Sequence, residues 1–292
     1  MTKPVKIGIR LLVLGAAGMF LAFTVWNFHL DRKFIFFPEK EILGDPGRWG
    51  LSFEDVVFPS ADGVKLHGWF IPFPGSGDTL LLFYGNAGNV SHHIENIKLL
   101  HDRLRINIFL FDYRGYGRSE GKISEEGAYR DAEGAHKYLL SRAGVSPSRI
   151  VFFGLSLGTA IAVQLALTHP PAAMILESPF TSIKDMAKRS FLLGLLTPFI
   201  RTRFDTARKL SRIHVPVLII QGDQDQTVPP SMARRLYNLA NGPREFYGIP
   251  GAGHNDTYII GGKTYFETLA RFISSSLQRR DSLRTAGREL AP

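Results

Sequence analysis

The sequence of 292 residues contains no cysteine. This absence excludes disulfide bonds, cysteine-based zinc sites, iron–sulfur ligation and a cysteine nucleophile. It carries no information about compartment, because oxidising and reducing environments both hold proteins without cysteine. The chain also lacks the H-E-x-x-H pattern of zinc proteases and the Walker pattern of nucleotide-binding loops. The sequence therefore predicts neither a metal ion nor a cofactor.

Acidic residues are fewer than basic ones, 26 against 35, and the formal net charge is +9. The surplus lies partly at the two ends of the chain. Residues 1–40 contain six basic and two acidic side chains, and residues 274–292 contain four and two. This distribution fits a juxtamembrane setting at least as well as a nucleic-acid interface, and no nucleic-acid-binding module is present. We expect no nucleic-acid partner.

An uncharged stretch of 18 residues occupies positions 11–28. A helix of this length spans roughly 27 Å, close to the hydrocarbon thickness of a bilayer. A cleaved signal peptide would have a shorter apolar region and small residues at its end, whereas this stretch closes with Phe23, Val25 and Trp26. We therefore predict that residues 1–33 form a single transmembrane anchor. Three basic residues and the α-amino group precede the stretch, and Arg32, Lys33 and Lys40 follow it, so the charge balance favours a cytoplasmic N-terminus only slightly.

After a linker rich in glycine and proline, short apolar runs alternate with helical patterns. Residues 51–59 and 64–71 flank Asp62-Gly63, a dipeptide typical of β-hairpin turns. Six further runs predict buried strands, at 80–84, 106–112, 150–153, 173–176, 217–221 and 245–249. Such alternation predicts an α/β fold with a mostly parallel, eight-stranded sheet and helices on both faces. Ligands bind such sheets at the carboxyl ends of the strands.

The most specific motif is Gly154-Leu155-Ser156-Leu157-Gly158. It follows a predicted strand and precedes an apolar helical stretch, which is the context of a nucleophile elbow. Because this turn is tight, small residues must flank the serine, which is lifted above the sheet on a strained backbone. We predict that Ser156 is the nucleophile.

A serine hydroxyl needs a base that accepts its proton, and the chain offers nine histidines. His254 lies in a glycine-containing loop, residues 251–256, directly after the last predicted strand. The other eight fall at the end of the uncharged stretch, in helical patterns, in the hairpin or in connections remote from strand ends. We therefore predict that His254 is the base.

The carboxylate that orients the histidine has three candidates. Asp223 and Asp225 both lie in the loop after the predicted strand at 217–221, and Glu177 ends the preceding strand. Asp225 is preferred, because Asp223 is closer to the strand and the chain must turn to bring the carboxylate to the imidazole. A helix N-cap is the alternative role for either aspartate.

An oxyanion hole requires two backbone N–H donors. Leu157 follows the nucleophile and supplies one. The second is predicted in the loop at 84–89, where glycines allow the backbone to approach a substrate, and we assign it to Asn86.

The order Ser156, Asp225, His254, together with the loop Tyr84-Gly85-Asn86-Ala87-Gly88-Asn89, resembles the α/β-hydrolase-fold serine hydrolases. More narrowly, the chain resembles their single-pass membrane-anchored, bud-emergence (Bem) type subgroup. Supporting stretches are Phe36-Phe37-Pro38, Asp112-Tyr113-Arg114-Gly115-Tyr116-Gly117 and the pattern Gly222-x-x-Asp225-x-x-Val228-Pro229.

This resemblance covers about residues 34–273 and independently favours Asp225 as the acid. It departs at Tyr84, where the family usually has histidine, so we expect altered rather than lost activity. The resemblance implies an acyl-transfer reaction more firmly than any substrate.

Residues 183–214 are the predicted cap of the hydrolase domain at 34–273. They include a nearly continuous apolar run at 191–200, for which a buried cap helix is the ordinary explanation. The functional alternative is an acyl-chain pocket or a surface in contact with lipid. The basic tail at 274–292 is predicted to be disordered.

Together these features predict a membrane-anchored serine hydrolase that cleaves carboxylic ester or thioester bonds through an acyl-enzyme. Its predicted partners are the lipid bilayer and a small-molecule or lipid-like acyl substrate. The alternative is a non-catalytic, membrane-anchored binding protein that retains the hydrolase fold. The native substrate, the membrane side of the domain and the oligomeric state stay open.

Overall fold

The structure is a computed structural model that describes residues 7, 13–20 and 30–289. Within these ranges no helix combines the length and the apolar character needed to cross a membrane. The predicted anchor at residues 1–33 lies largely outside the described residues, so it stays a prediction.

An eight-stranded sheet forms the centre of the protein, as the alternation of strands and helices predicts. Its strands are β1 Glu54–Pro59, β2 Lys65–Ile71, β3 Thr79–Phe83, β4 Asn107–Phe111, β5 Ile150–Leu155, β6 Ala173–Glu177, β7 Val217–Gly222 and β8 Arg244–Ile249. Their spatial order is β8-β7-β6-β5-β3-β4-β2-β1. The hairpin strand β2 runs antiparallel to both β1 and β4, and every other pairing in this sheet is parallel.

The strand order reverses at β3, which has β4 on one side and β5 on the other. The loops that leave β3 and β5 therefore start side by side and depart in different directions, which opens a crevice at the carboxyl edge. The loop at 84–89 and Ser156 both lie at this edge. The topology thus brings the predicted nucleophile to the predicted oxyanion loop.

Helices cover both faces of the sheet. The helices bounded in the described residues, those of the cap included, are α1 Leu30–Ile35, α2 Ile94–Leu104, α3 Glu125–Ser141, α4 Leu157–Ala166, α5 Ile183–Ala187, α6 Phe191–Leu195, α7 Thr206–Leu210, α8 Pro230–Leu239 and α9 Thr257–Glu289. Helix α3 shows why they form: the Ser124 hydroxyl accepts a hydrogen bond from the Gly127 N–H at 3.0 Å, and Glu125 and Glu126 occupy the positive end of the helix dipole.

The core lies on both sides of strands β3 to β7, which are buried along almost their whole length. Strands covered on both faces need apolar residues at consecutive positions, which explains their unbroken hydrophobic runs.

The segment before the sheet is docked on the domain. Phe36 is buried and packs edge-on against Phe204, with ring centroids 6.0 Å apart. Phe37–Pro38 pairs in parallel with Ala87–Gly88. Helix α1 therefore crosses the predicted boundary between residues 33 and 34 and ends beside the predicted oxyanion loop.

The cap differs from a single buried helix. The apolar run at 191–200 forms the short helix α6 and the 3₁₀ turn Thr197–Phe199. Phe191 is 83% exposed and Leu195 is 63% exposed. The run thus presents apolar side chains to the outside.

The tail from residue 274, for which the sequence predicts disorder, is helical in its described part. Helix α9 continues to Glu289 and is bent at Gly262, whose φ is +49°. Ser276 and Leu277 are buried, so the tail has an apolar contact with the domain. Serine and arginine in the tail predict disorder when only the local composition is considered. The contact that orders the tail is made with residues distant in the sequence, so local composition does not reveal it.

Candidate active site

Ser156 lies on the turn between β5 and α4, with φ of +49° and ψ of −113°. A positive φ is rare for a residue with a side chain and marks stored strain. The flanking glycines explain how the turn closes. A Cβ at Gly154 would lie 2.6 Å from the Thr159 Cα, and one at Gly158 would collide with the Phe83 carbonyl. The motif thus forms the strained elbow that the sequence predicts.

Three side chains from three different strand ends meet at this turn. The Ser156 hydroxyl lies 3.0 Å from Nε2 of His254, and Nδ1 of His254 lies 2.7 Å from Oδ2 of Asp225. Because a carboxylate only accepts, Nδ1 carries the proton and Nε2 is left to accept the serine proton. The structure brings together the three residues that the sequence singles out.

Asp225 is buried, and four groups donate to its carboxylate. Besides His254, they are the backbone N–H groups of Thr227 and Val228, at 2.9 and 2.8 Å, and the side chain of Gln221 at 2.9 Å. Burial alone would raise the pKa of Asp225, but these hydrogen bonds, with that of His254 foremost, hold it below its ordinary value. The carboxylate is therefore ionised at neutral pH.

The two other candidate acids have different partners. Asp223 accepts a hydrogen bond from the Gly251 N–H at 2.7 Å and ties the loops after β7 and β8 together. Glu177 is buried and accepts from Thr257 and from Tyr265, the latter at 2.6 Å. Burial raises the pKa of Glu177 despite these two donors. Of the three carboxylates, Asp225 alone hydrogen-bonds to His254 in the described structure.

Hydrogen bonds of Asn86 hold the loop after β3 in place. Its side chain donates to the Ile35 carbonyl at 2.7 Å, and its own carbonyl accepts from the Phe37 N–H and the Tyr116 hydroxyl, both at 2.8 Å. Asn86 and Leu157 line the same cavity as Ser156. Leu157 begins α4, so its N–H belongs to the first turn of the helix, whose donors have no intrahelical partner. This placement is compatible with an oxyanion hole, and the assignment of its two N–H donors to Asn86 and Leu157 stays a prediction.

Comparison with known proteins agrees with the fold. A sequence model of the alpha/beta hydrolase fold matches residues 78–195. An uncharacterized protein of Mycobacterium tuberculosis is 34% identical, over 92% of this chain and 94% of its own length. The alpha/beta hydrolase domain-containing protein WAV2 of Arabidopsis thaliana is 35% identical, over 91% and 94%. The chain belongs to the α/β-hydrolase family.

A further relative and two solved structures are similar to the hydrolase. Protein bem46 of Schizosaccharomyces pombe is 33% identical to it, over 82% of this chain and 83% of its own length. An esterase of Pyrococcus furiosus has the same fold, with a TM-score of 0.70 and 21% identity over 82% of this chain and 99% of that one. An acetyl xylan esterase from a Paenibacillus species gives a TM-score of 0.60 at 22% identity, over 81% of this chain and 88% of that one.

Tyr84, the first residue of the predicted oxyanion loop, is held by hydrogen bonds to buried neighbours. Its hydroxyl donates to the buried carboxylate of Asp112 at 3.1 Å, and its carbonyl accepts from the Tyr113 hydroxyl at 2.9 Å. Asp112 also accepts from the Val90 N–H at 2.9 Å and hydrogen-bonds to Nδ1 of His67 at 3.1 Å. The tyrosine therefore acts on the loop and makes no contact with His254 in the described structure.

Sequence reasoning did not assign roles to Asp112 and His67. Burial alone would lower the pKa of His67, but hydrogen bonds and charges from Asp112 and Asp55 outweigh it and raise that pKa. Asp112 ends the predicted strand at 106–112, and this position at the carboxyl end of the sheet was the sequence feature that could have indicated a role near the site. Within the described ranges, no three or more histidine and carboxylate side chains gather as a metal site would require.

A largely apolar cavity of about 330 Å³ opens beside Ser156. Helix α1 contributes Phe34 and Ile35 to its wall. The cap contributes a larger apolar set, Ile183, Met186, Ala187, Leu193, Leu196 and Ile200. The contribution of α1 was missed by sequence reasoning, because it depends on a contact between residues about fifty positions apart.

Proposed function

We propose that this hydrolase is a serine ester hydrolase in which Ser156, His254 and Asp225 form a catalytic triad. The hydrogen-bonded chain from Ser156 through His254 to the ionised Asp225, on a strained elbow beside an apolar cavity, carries this proposal. Two solved structures that share the fold are named esterases.

The reaction follows from the three roles. His254 Nε2 takes the hydroxyl proton as Ser156 Oγ attacks the acyl carbonyl, and Asp225 stabilises the imidazolium that forms. The N–H groups of Leu157 and Asn86 stabilise the oxyanion. The imidazolium then protonates the leaving oxygen or sulfur atom as its bond to the acyl carbon breaks, so that an alcohol or thiol departs and the acyl group stays on Ser156. Water, deprotonated by His254, cleaves this acyl-enzyme and releases the carboxylic acid.

The cavity supports acyl substrates of substantial chain length. Its wall is largely apolar, so a hydrocarbon chain that enters the cavity is removed from water and packs mainly against apolar side chains. We therefore propose lipid-like carboxylic esters or thioesters as the substrate class. The apolar stretch at 11–28 supports a single-pass anchor, and the basic residues before it favour a cytoplasmic N-terminus.

Labelling by a fluorophosphonate probe tests the triad. We expect the detergent-solubilised protein to be labelled, and Ser156→Ala to lose the label, because the probe bonds only to an activated serine hydroxyl. His254→Ala should lose it as well while keeping its circular dichroism spectrum. A folded wild-type protein that fails to react would contradict the proposal and favour a non-catalytic binding protein with this fold.

A further inference from the structure

The mouth of the acyl cavity is apolar. Phe34 and Leu193 both line the cavity and are 74% and 45% exposed, so they mark its opening. Phe191 and Leu195 stand on the same short helix as Leu193, and both are more exposed than Leu193. A hydrophobic rim of this kind is unusual on a surface that meets only water.

Basic residues flank this rim. Residues 184–203, which contain α6, include five basic side chains and one acidic side chain. Arg32 and Lys33 stand in α1 directly before Phe34. Exposed apolar side chains that alternate along the chain with arginine and lysine match the interface of an anionic bilayer, where the apolar groups enter the acyl region and the cations meet lipid phosphates.

The position of the rim in the chain gives an independent argument. Phe34 lies six positions after Phe28, the last residue of the uncharged stretch. Six residues span at most about 20 Å even when fully extended. Helix α1 is in turn fixed to the domain, because Asn86 donates to the Ile35 carbonyl and Phe36 is buried. A chain that leaves a bilayer at Phe28 therefore holds the cavity mouth within reach of that bilayer.

We propose that the rim formed by Phe34, Phe191, Leu193 and Leu195 docks on an anionic lipid bilayer, so that the acyl chain of the substrate passes directly from the membrane into the cavity. This inference rests on the proposed function, since it names the phase from which the acyl substrate comes. Helix α6 is the element that enters the lipid. A second copy of the chain on this face is the competing occupant.

The absence of cysteine permits a direct test on the full chain. Phe191→Cys and Val57→Cys each create a single site for an environment-sensitive fluorophore. Val57 is the matched control, because it is 69% exposed but lies on the edge strand β1. Both labelled proteins are reconstituted into vesicles of phosphatidylcholine and phosphatidylglycerol, with and without nitroxide-labelled lipid.

We expect blue-shifted emission and severalfold stronger nitroxide quenching at position 191 than at position 57. Equal quenching at the two positions would overturn the docking proposal. A blue shift at position 191 without lipid quenching, accompanied by a doubled mass in detergent, would assign the face to a second copy and would also overturn it.

Turnover in the same vesicles separates this inference from the proposed function. The double variant Phe191→Ser with Leu195→Ser should hydrolyse a long-chain ester embedded in the vesicles at least about tenfold more slowly, because two large apolar side chains no longer favour the bilayer. Its turnover of a short soluble ester should match that of Val57→Ser. Equal losses on both esters would overturn docking, whereas the absence of any turnover in the wild-type protein would contradict the proposed hydrolase activity alone.

Discussion

Exchange of Asp225 for asparagine tests the triad with a matched control at Asp223. In the structure Oδ1 of Asp225 accepts from two backbone N–H groups, so the amide oxygen of asparagine takes that place. The amide nitrogen then occupies the Oδ2 position, 2.7 Å from Nδ1 of His254. A donor there forces Nδ1 to accept, and Nε2 carries the proton and can no longer take one from Ser156.

The expected loss in kcat is about 10⁴-fold, or about 5.4 kcal/mol of transition-state stabilisation. The new amide nitrogen also faces the donating side chain of Gln221, and a pair of opposed donors costs about 1–3 kcal/mol of folding stability. Asp223→Asn should keep kcat within about twofold, because asparagine still accepts from the Gly251 N–H.

Steady-state hydrolysis of a short p-nitrophenyl ester measures kcat for both variants, and urea unfolding measures their stability. Two results would refute the reasoning. One is an Asp225→Asn enzyme that keeps more than about a tenth of the wild-type kcat. The other is an Asp223→Asn enzyme that loses as much as the Asp225 variant, which would move the acid role to Asp223.

Two further predictions concern stability. Gly158→Ala should destabilise the fold by about 3 kcal/mol or more and abolish turnover, because the new Cβ collides with the β3 backbone. Thermal unfolding measures this loss. The control is Gly77→Ala, whose new Cβ points into open space and should change thermal unfolding little. His67 has a raised pKa in the folded state, so its stabilising contribution is complete below its ordinary pKa of 6.5 and is lost as pH rises through the folded value. His67→Gln should therefore flatten the fall in urea-unfolding free energy above pH 6.5; an unchanged slope would exclude this histidine as its source.

Local sequence accounts for much of the fold and of the elbow. Unbroken apolar runs predicted β3 to β7 to within a few residues, because burial on both faces demands consecutive hydrophobic positions. The hairpin signal at Asp62-Gly63 and the short run at 245–249 predicted the three outer strands. The glycines around Ser156 predicted the turn, because the sterics that require them act over only a few residues.

Other features depend on residues distant in the sequence. Asp223 and Asp225 stand two positions apart in one loop, and the fold of the loop directs one to Gly251 and the other to His254. Pattern analysis ranked these two aspartates but could not exclude either of them, since both side chains have the same chemistry.

The sequence by itself therefore determined the fold class, the strained serine and a short set of partners for it. Tertiary structure alone decided which carboxylate meets the histidine, that α1 forms part of the cavity wall, that α6 is exposed and that the tail continues as a helix. The physical reason is the range of the interactions. Backbone sterics and hydrophobic periodicity act between neighbours in the chain, whereas a cavity or a hydrogen bond across loops exists only after distant segments have packed together.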